Sequence, residues 1–522
     1  MSEETTYDIV IIGGGINGCG IARDAAGRGL KVLLAEQNDI ASATSGWSTK
    51  LIHGGLRYLE QYAFRLVRES LQEREVLLRL APHIIHPLAF VLPHEKSMRP
   101  AWLIRAGLFL YDHIGGKISL PTSRGVTFPD DEFSAGLRLG LKRGFIYSDA
   151  RVDDARLTVL NAMSAREHGA KILTRIKVES GARENGLWHL KLADQVTGEV
   201  SYIHAKAIVN AAGPWVQPVL EMGFEAEFHE MSAQTESRNK AAIKLVKGSH
   251  IIVPRLHDEA HAYLLQNDDG RIVFVIPYED RFSLIGTTDV AVANVKEGHA
   301  IGEAEITYLL RVVNRFFQRR LLASDIVWTY AGVRPLYNDG HAKASEITRD
   351  YVLKVNDDNG ALPILSIYGG KITTYRRLAE HALDELKNYF PTMPMAWTST
   401  EALPGGAIPA GTSLAEFVQA KVAQYCGLPP DYIDRLVKRH GINIERVLKQ
   451  VKRVDDLGEL FGRGRNMLAG VEIEYFIHQE WARTAEDILW RRTKCGLHMD
   501  QEERQRAAVF IERRVKQIVR QA

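Results

Sequence analysis

Residues 13–18 read Gly13-Gly14-Gly15-Ile16-Asn17-Gly18, directly after an apolar run (7–12) and at the head of a helical pattern (16–28). Gly13, Gly15 and Gly18 have the G-x-G-x-x-G spacing, which allows a tight turn, close backbone approach to a pyrophosphate and close packing of helix on strand. The pyrophosphate would rest on the positive end of that helix. A second apolar run, 31–35, ends at Glu36, an acid placed to accept from ribose hydroxyls. A 2′-phosphate there would meet like charge, so an unphosphorylated adenosine ribose is expected, and both FAD and NAD satisfy that.

Further chemistry-bearing groups recur along the chain. The segment 41–60 sets Thr44, Ser45 and Ser48 beside Lys50, Leu51 and His53, small hydroxylated residues that can hydrogen-bond the polar edge of a planar ring. Lys247-Gly248-Ser249-His250, Gly286-Thr287-Thr288-Asp289, Ala331-Gly332-Val333-Arg334 and Gly369-Gly370-Lys371 follow. An arginine is the better partner for a buried phosphate dianion, because its planar fork binds two oxygens and stays charged. His250 is the expected general base, its ordinary pKa lying near working pH, with His53 the competing candidate. Asp289 reads as an orienting or capping residue. Gly369-Gly370 ahead of a helix from Lys371 would aim free amides at developing negative charge.

The elements that position these groups must span several domains, because 522 residues exceed the size of one core. The formal net charge of +2 offers no global field for nucleic acid, so no nucleic-acid partner is expected. Three cysteines, Cys19, Cys426 and Cys495, form no metal-ligand spacing and no metal is expected. The polar, acidic start does not resemble a secretory signal, and no run approaches the roughly 20 apolar residues of a membrane span. A cytoplasmic setting follows. Helical spacing is expected over 60–80 and 150–169, a buried strand over 206–210 running into Ala211-Ala212-Gly213, short antiparallel strands over 249–289, and a strand-glycine-helix unit over 364–389. After the Pro- and Gly-rich stretch 404–409 the pattern is helical to the end.

Taken together, the runs GGGINGCGIARDAAGRGL, KLIHGGLRYLE, YSDARVDDARL, NAAGPWV, KGSHIIVPR, IGTTD, AGVRPL and GGKITTYR resemble, in order, FAD-dependent glycerol-3-phosphate dehydrogenases of the aerobic, respiratory type. The likeness covers essentially the whole chain. It implies an α/β fold: a Rossmann-like FAD-binding domain (1–82, 145–220, 330–395), an inserted antiparallel-sheet substrate domain facing the membrane (83–144, 221–329) and a C-terminal helical domain (396–522). It implies noncovalent FAD, glycerol 3-phosphate as donor, dihydroxyacetone phosphate as product, hydride transfer to flavin N5, and a membrane quinone as acceptor. It places Arg57, Arg334, Tyr58 and His250 at the substrate, with Arg349 a third arginine, and Lys371 beside the reacting centre. Gly13, Gly14, Gly15, Asn17, Gly18, Glu36, Thr44, Ser45, Ser48, Lys50, Leu51, His53, Gly213, Gly370, Lys371 and Thr373 would hold the cofactor. A homodimer, peripherally bound at the inner face of the cell membrane, is expected on the same basis. Two departures stand out: Trp47 occupies a position where such proteins carry Ser or Ala, and the polar stretch 228–242 is longer than usual.

The basic and aromatic stretch 99–111 is too short to cross a bilayer and is a candidate for lying in its interface, as is the basic final helix 504–520. The rival readings are a glycerol-3-phosphate oxidase passing electrons to oxygen, an amine or amino-acid oxidase, and a noncatalytic flavin-bound redox sensor. The charged cluster of Arg57, His250, Arg334 and Lys371 argues for a phosphorylated substrate and against a sensor.

Overall fold

The computed structural model describes residues 5–95, 98–129, 131–224, 243–337 and 350–519. Two large sheets organise the chain. In the first, the strands Ala361–Tyr368, Val200–Asn210, Thr6–Ile12, Val32–Glu36 and Lys171–Thr174 run parallel in that order. Their near-continuous apolar character is what a strand buried on both faces requires. Helices Ile16–Gly27, Asp154–Glu167 and Tyr375–Glu385 bury Ile21, Ala25, Leu160, Leu378 and Leu383 against one face. A hairpin, Ile176–Glu184 with Leu187–Asp194, extends the sheet and helps close the other face. The glycine loop leaves the C-terminal end of Thr6–Ile12, where strand order reverses direction, the usual ligand crevice of such sheets.

The second sheet has ten strands. Ile243–Pro254 pairs antiparallel with Trp328–Tyr337 on one side and Phe282–Gly286 on the other. Ile85–His94 pairs antiparallel with Arg143–Val152 farther along. Helix Glu303–Phe316 packs Leu309, Val312, Val313 and Phe316 beneath the sheet, while Phe64–Leu80 and Ala101–Ile114 contribute Val67, Leu71 and Leu108 to the other core.

Three expectations are corrected. Residues 145–152 and 330–337 belong to the second sheet, not to the nucleotide-binding part, because their strands pair with Ile85–His94 and Ile243–Pro254. The helical reading of 150–169 starts too early: Arg143–Val152 is strand, and the helix begins at Asp154 with the Asp153 side chain accepting from Arg156 N–H. Lys371 precedes a short 3-10 turn, Ile372–Thr374, before the helix Tyr375–Glu385.

The C-terminal part is helical, with Leu414–Gln424, Pro430–His440, Gly470–Gln479 and Gln501–Val519 around Leu436, Val437, Phe476 and Ile511. It docks through buried ion pairs: Asp39 with both Arg491 (2.7 Å) and Arg492, Asp487 with Arg175 (2.7 Å), and Glu480 with Arg156. Among the described residues no helix is long and apolar enough to cross a membrane, no group of metal ligands occurs, and all three cysteines are free. The expectation for 228–242 lies outside the described residues.

At Gly18 an added Cβ would lie 2.0 Å from the Gly13 carbonyl oxygen. Gly18→Ala is therefore expected to destabilise the protein by about 1–3 kcal/mol and to lose bound nucleotide cofactor. Thermal denaturation together with cofactor absorbance per mole of protein checks this.

Candidate active site

A cavity of about 370 Å³ runs from the glycine loop to the middle of the second sheet. Gly13, Gly15, Asn17, Glu36, Thr44, Ser45, Ser48, Leu51, His53, Gly213, Gly370, Lys371 and Thr373 line it, as do Tyr58, His250 and Arg334. The two sheets thus bring most of the sequence-named residues into one space.

At the nucleotide end, Glu36 accepts from Gly14 N–H at 2.7 Å and from Asn38 N–H at 2.7 Å. Burial pushes its carboxyl above the usual range, and the two amides act in the opposite sense. Ser45 Oγ receives the first helical amide, Ile16 N–H, at 2.9 Å. Gly14 and Gly18 form the loop and its helix packing and do not line the cavity. Across the cavity Asn17 donates to the Gly369 carbonyl at 3.2 Å, and its Oδ1 is buried without a protein partner. His53 N–H meets Thr373 Oγ1 at 3.3 Å, tying the 41–60 segment to the turn after Lys371.

At the other end, Asp289 collects the arginines. Arg334 reaches one carboxylate oxygen at 2.5 Å and Arg57 the other at 3.9 Å. Arg57 is not itself in the cavity wall; it joins the site through this shared carboxylate. Gly248 makes room, since a Cβ there would stand 2.4 Å from Arg334 Nη2. Thr288 and Ser249 are fixed by Glu305, which accepts from their hydroxyls at 2.6 and 2.8 Å and pairs with Lys247 at 2.7 Å. Lys371 Nζ lies 3.7 Å from the centre of the Tyr58 ring.

His250 is 1% exposed. Its ring stacks on Tyr330 at 4.7 Å, its Nε2 meets Thr49 Oγ1 at 3.1 Å, and Nδ1 has no protein partner. Burial, then the nearby charges of Arg334 and Lys50, holds its pKa well below that of an ordinary histidine, so the ring is neutral at physiological pH. Gly286 across the ladder leaves space for that ring, because a Cβ there would be 2.1 Å from His250 Cδ2. Trp47 packs against Tyr330 at 5.5 Å and Trp328 at 5.8 Å, with its indole N–H on the Ser42 carbonyl, and so forms part of the wall.

Lys50 departs from its expected role. Its ammonium turns out of the cavity into a buried pair with Asp154 at 2.7 Å. Arg349 lies outside the described residues. Asp154 was missed by sequence reasoning: it also accepts from Ser48 N–H (3.0 Å) and Ser48 Oγ (2.7 Å). The signal was the double acid in VDDARL, which reads as a helix start and hides that the second acid turns back to the cavity wall. Thr49 likewise carried no sequence signal.

Residues 8–376 match the family of FAD-dependent oxidoreductases, and residues 396–516 match the C-terminal domain of alpha-glycerophosphate oxidase. The chain belongs to the FAD-dependent oxidoreductase family. A glycerol-3-phosphate dehydrogenase of Pseudomonas aeruginosa is 49% identical over 97% of this chain and 95% of its own. A D-erythritol 1-phosphate dehydrogenase of Brucella abortus is 48% identical over 98% of each. The solved structure of a Bacillus halodurans glycerol-3-phosphate dehydrogenase complexed with FAD matches with TM-score 0.70 and 28% identity, over 99% of this chain and 95% of that one. FAD is the cofactor. The residues present fit it: a loop whose glycines leave room for a pyrophosphate, Glu36 for the adenosine ribose, and a cavity reaching His250 and Arg334.

Arg334→Gln is expected to weaken inhibitory sulfate binding at least tenfold, since a hydrogen bond to a charged group is worth about 1.5–3 kcal/mol, while FAD content stays unchanged. Titration of the flavin spectrum with sulfate measures it.

Proposed function

We propose that this enzyme oxidises sn-glycerol 3-phosphate to dihydroxyacetone phosphate and delivers the electrons to a membrane quinone. The observation that carries the reading is the convergence of Arg334, Lys371 and His250 on the cavity that the glycine loop also lines, with Arg57 drawn towards Arg334 through the Asp289 carboxylate. Bound FAD supplies a two-electron acceptor. Arg334 and Arg57, held by Asp289, bind the phosphate with planar, permanently charged forks. Lys371 and the Gly369-Gly370 turn stabilise negative charge that develops beside them. His250, a neutral imidazole held by Thr49 Oγ1 through Nε2, takes the hydroxyl proton.

A longer phosphorylated polyol is the second reading, favoured by the 48% identity to the D-erythritol 1-phosphate dehydrogenase. The two donors are distinguished by anaerobic titration of the enzyme. Bleaching of the flavin band by sn-glycerol 3-phosphate, with glycerol inert and D-erythritol 1-phosphate at least tenfold poorer in kcat/KM, supports the proposal; the reverse preference replaces it. Reoxidation faster by a soluble quinone than by oxygen identifies a dehydrogenase over an oxidase.

His250→Asn is expected to lower turnover by about 10²–10⁴-fold. Because the folded pKa of His250 is depressed, the neutral base persists as pH falls through 6.5, so wild-type kcat/KM is expected to stay level there and decline only at lower pH. An unchanged rate in the variant removes His250 from the role.

A quinone acceptor requires contact with lipid. Helix Ala101–Ile114 buries Ile104, Leu108 and Tyr111 but leaves Trp102 71% and Phe109 58% exposed, beside exposed Leu103 and Leu110. Exposed Tyr62 and Phe64 lie on the neighbouring segment that packs against this helix. This apolar patch, with Arg99 at its edge, is proposed to rest in the membrane interface of the cytoplasmic face. The final helix packs through Ala507 and Ile511 and engages Arg504 and Arg514 within the protein, which favours the Ala101–Ile114 face. A Trp102→Glu, Leu103→Glu double variant is expected to lose flotation with anionic liposomes while keeping soluble-quinone activity; equal flotation rules the patch out.

A further inference from the structure

We propose that a second anion site, built for a phosphate group, lies in a separate cavity of about 130 Å³ between the second sheet and the C-terminal helices. Eight basic side chains line it against three acids, Asp153, Glu279 and Asp280. The acids are all engaged: Asp153 with Lys494 at 2.9 Å, Glu279 with Arg435, and Asp280 with Arg465 at 3.3 Å. Four acids outside the wall, Asp154, Asp434, Glu472 and Glu480, hold Lys50, Lys438, Arg439 and Arg156. Arg151 alone among the lining cations has no ion pair with a described residue. Its place on the strand Arg143–Val152, opposite Leu51 and His86, sets its side chain in the cavity wall.

The wall also carries donors with nothing to donate to. Nε of Arg156 and of Arg435 and the Tyr278 hydroxyl are buried without hydrogen-bond partners. Tyr278 is 8% exposed and Arg156 1%. Each such orphan costs about 1–3 kcal/mol if left unmet, so their gathering around one small space calls for an acceptor. A water meets such donors one at a time and carries no charge to offset the Arg151 guanidinium. A carboxylate offers two acceptor oxygens. A phosphate group offers three or four, carries enough charge for an unpaired guanidinium, and suits the arginine fork. Lys50 belongs to this wall and Leu51 to the flavin cavity, so an occupant sits one residue behind the cofactor site.

The test is thermal denaturation of the FAD-loaded enzyme in inorganic phosphate, against potassium chloride at matched ionic strength. Stabilisation specific to phosphate is expected to survive with unchanged apparent affinity in Arg334→Gln, where binding of the anion at the active site is weakened at least tenfold. Its apparent affinity is expected to fall at least tenfold in Arg151→Gln and severalfold in Tyr278→Phe, both retaining FAD absorbance. Tyr278→Phe decides the matter if Arg151→Gln fails to fold. In the Arg334→Gln background, tighter binding of glycerol 2-phosphate than of inorganic phosphate identifies an ester as the ligand, and the reverse identifies the free anion. Stabilisation that chloride reproduces, or that disappears in Arg334→Gln and persists in the other two variants, overturns the proposal.

Discussion

One buried ion pair, Lys50 with Asp154, fixes between two sheets the chain segment that lines the large cavity. Asp154 opens a helix of the first sheet's layer and also accepts from Ser48 N–H and Oγ, while Lys50 Nζ reaches back to the Gly46 carbonyl at 3.1 Å. Burial lowers the Lys50 pKa and the facing carboxylate opposes that shift. Removing one partner of such a pair strands the other charge and costs about 3–5 kcal/mol. The contact also sorts side chains. Leu51 and His53 line the cofactor cavity, while Lys50, whose backbone is left-handed with φ at 60°, turns to the opposite side.

The second organising element is a balance of charge around Asp289. Two guanidiniums share its carboxylate, and a buried network from Lys247 through Glu305 to Ser249 and Thr288 holds the adjoining turn. Burial first, and then the charges of Arg334 and Lys50, hold the His250 ring neutral beside this network.

The C-terminal helices brace the loop behind the cofactor cavity without lining it. Asp39, three residues beyond Glu36, is gripped by Arg491 and Arg492 and is 1% exposed. The loop that follows Glu36 is thereby tied to the far end of the chain. Trp490 extends this contact by stacking on Trp328 at 4.6 Å, next to the Trp47 and Tyr330 rings that line and support the cavity.

Local pattern alone determined the nucleotide loop, because G-x-G-x-x-G between a strand and a helix is a short-range constraint met entirely within residues 7–36. It also determined the helical character of the C-terminal quarter and the short strands between 249 and 289. The resemblance carried by longer motifs added His250, Arg334 and Lys371 to the site. Strand membership was decided elsewhere: 145–152 and 330–337 joined the second sheet because their pairing partners lie far along the chain, at 85–94 and 243–254. The destination of Lys50, the sharing of Asp289 by Arg57 and Arg334, the role of Asp154 and the gathering of orphaned donors around Arg151 were likewise settled only in three dimensions. Charged side chains choose partners by distance and burial, and those exist only once the two sheets and the C-terminal helices have packed together.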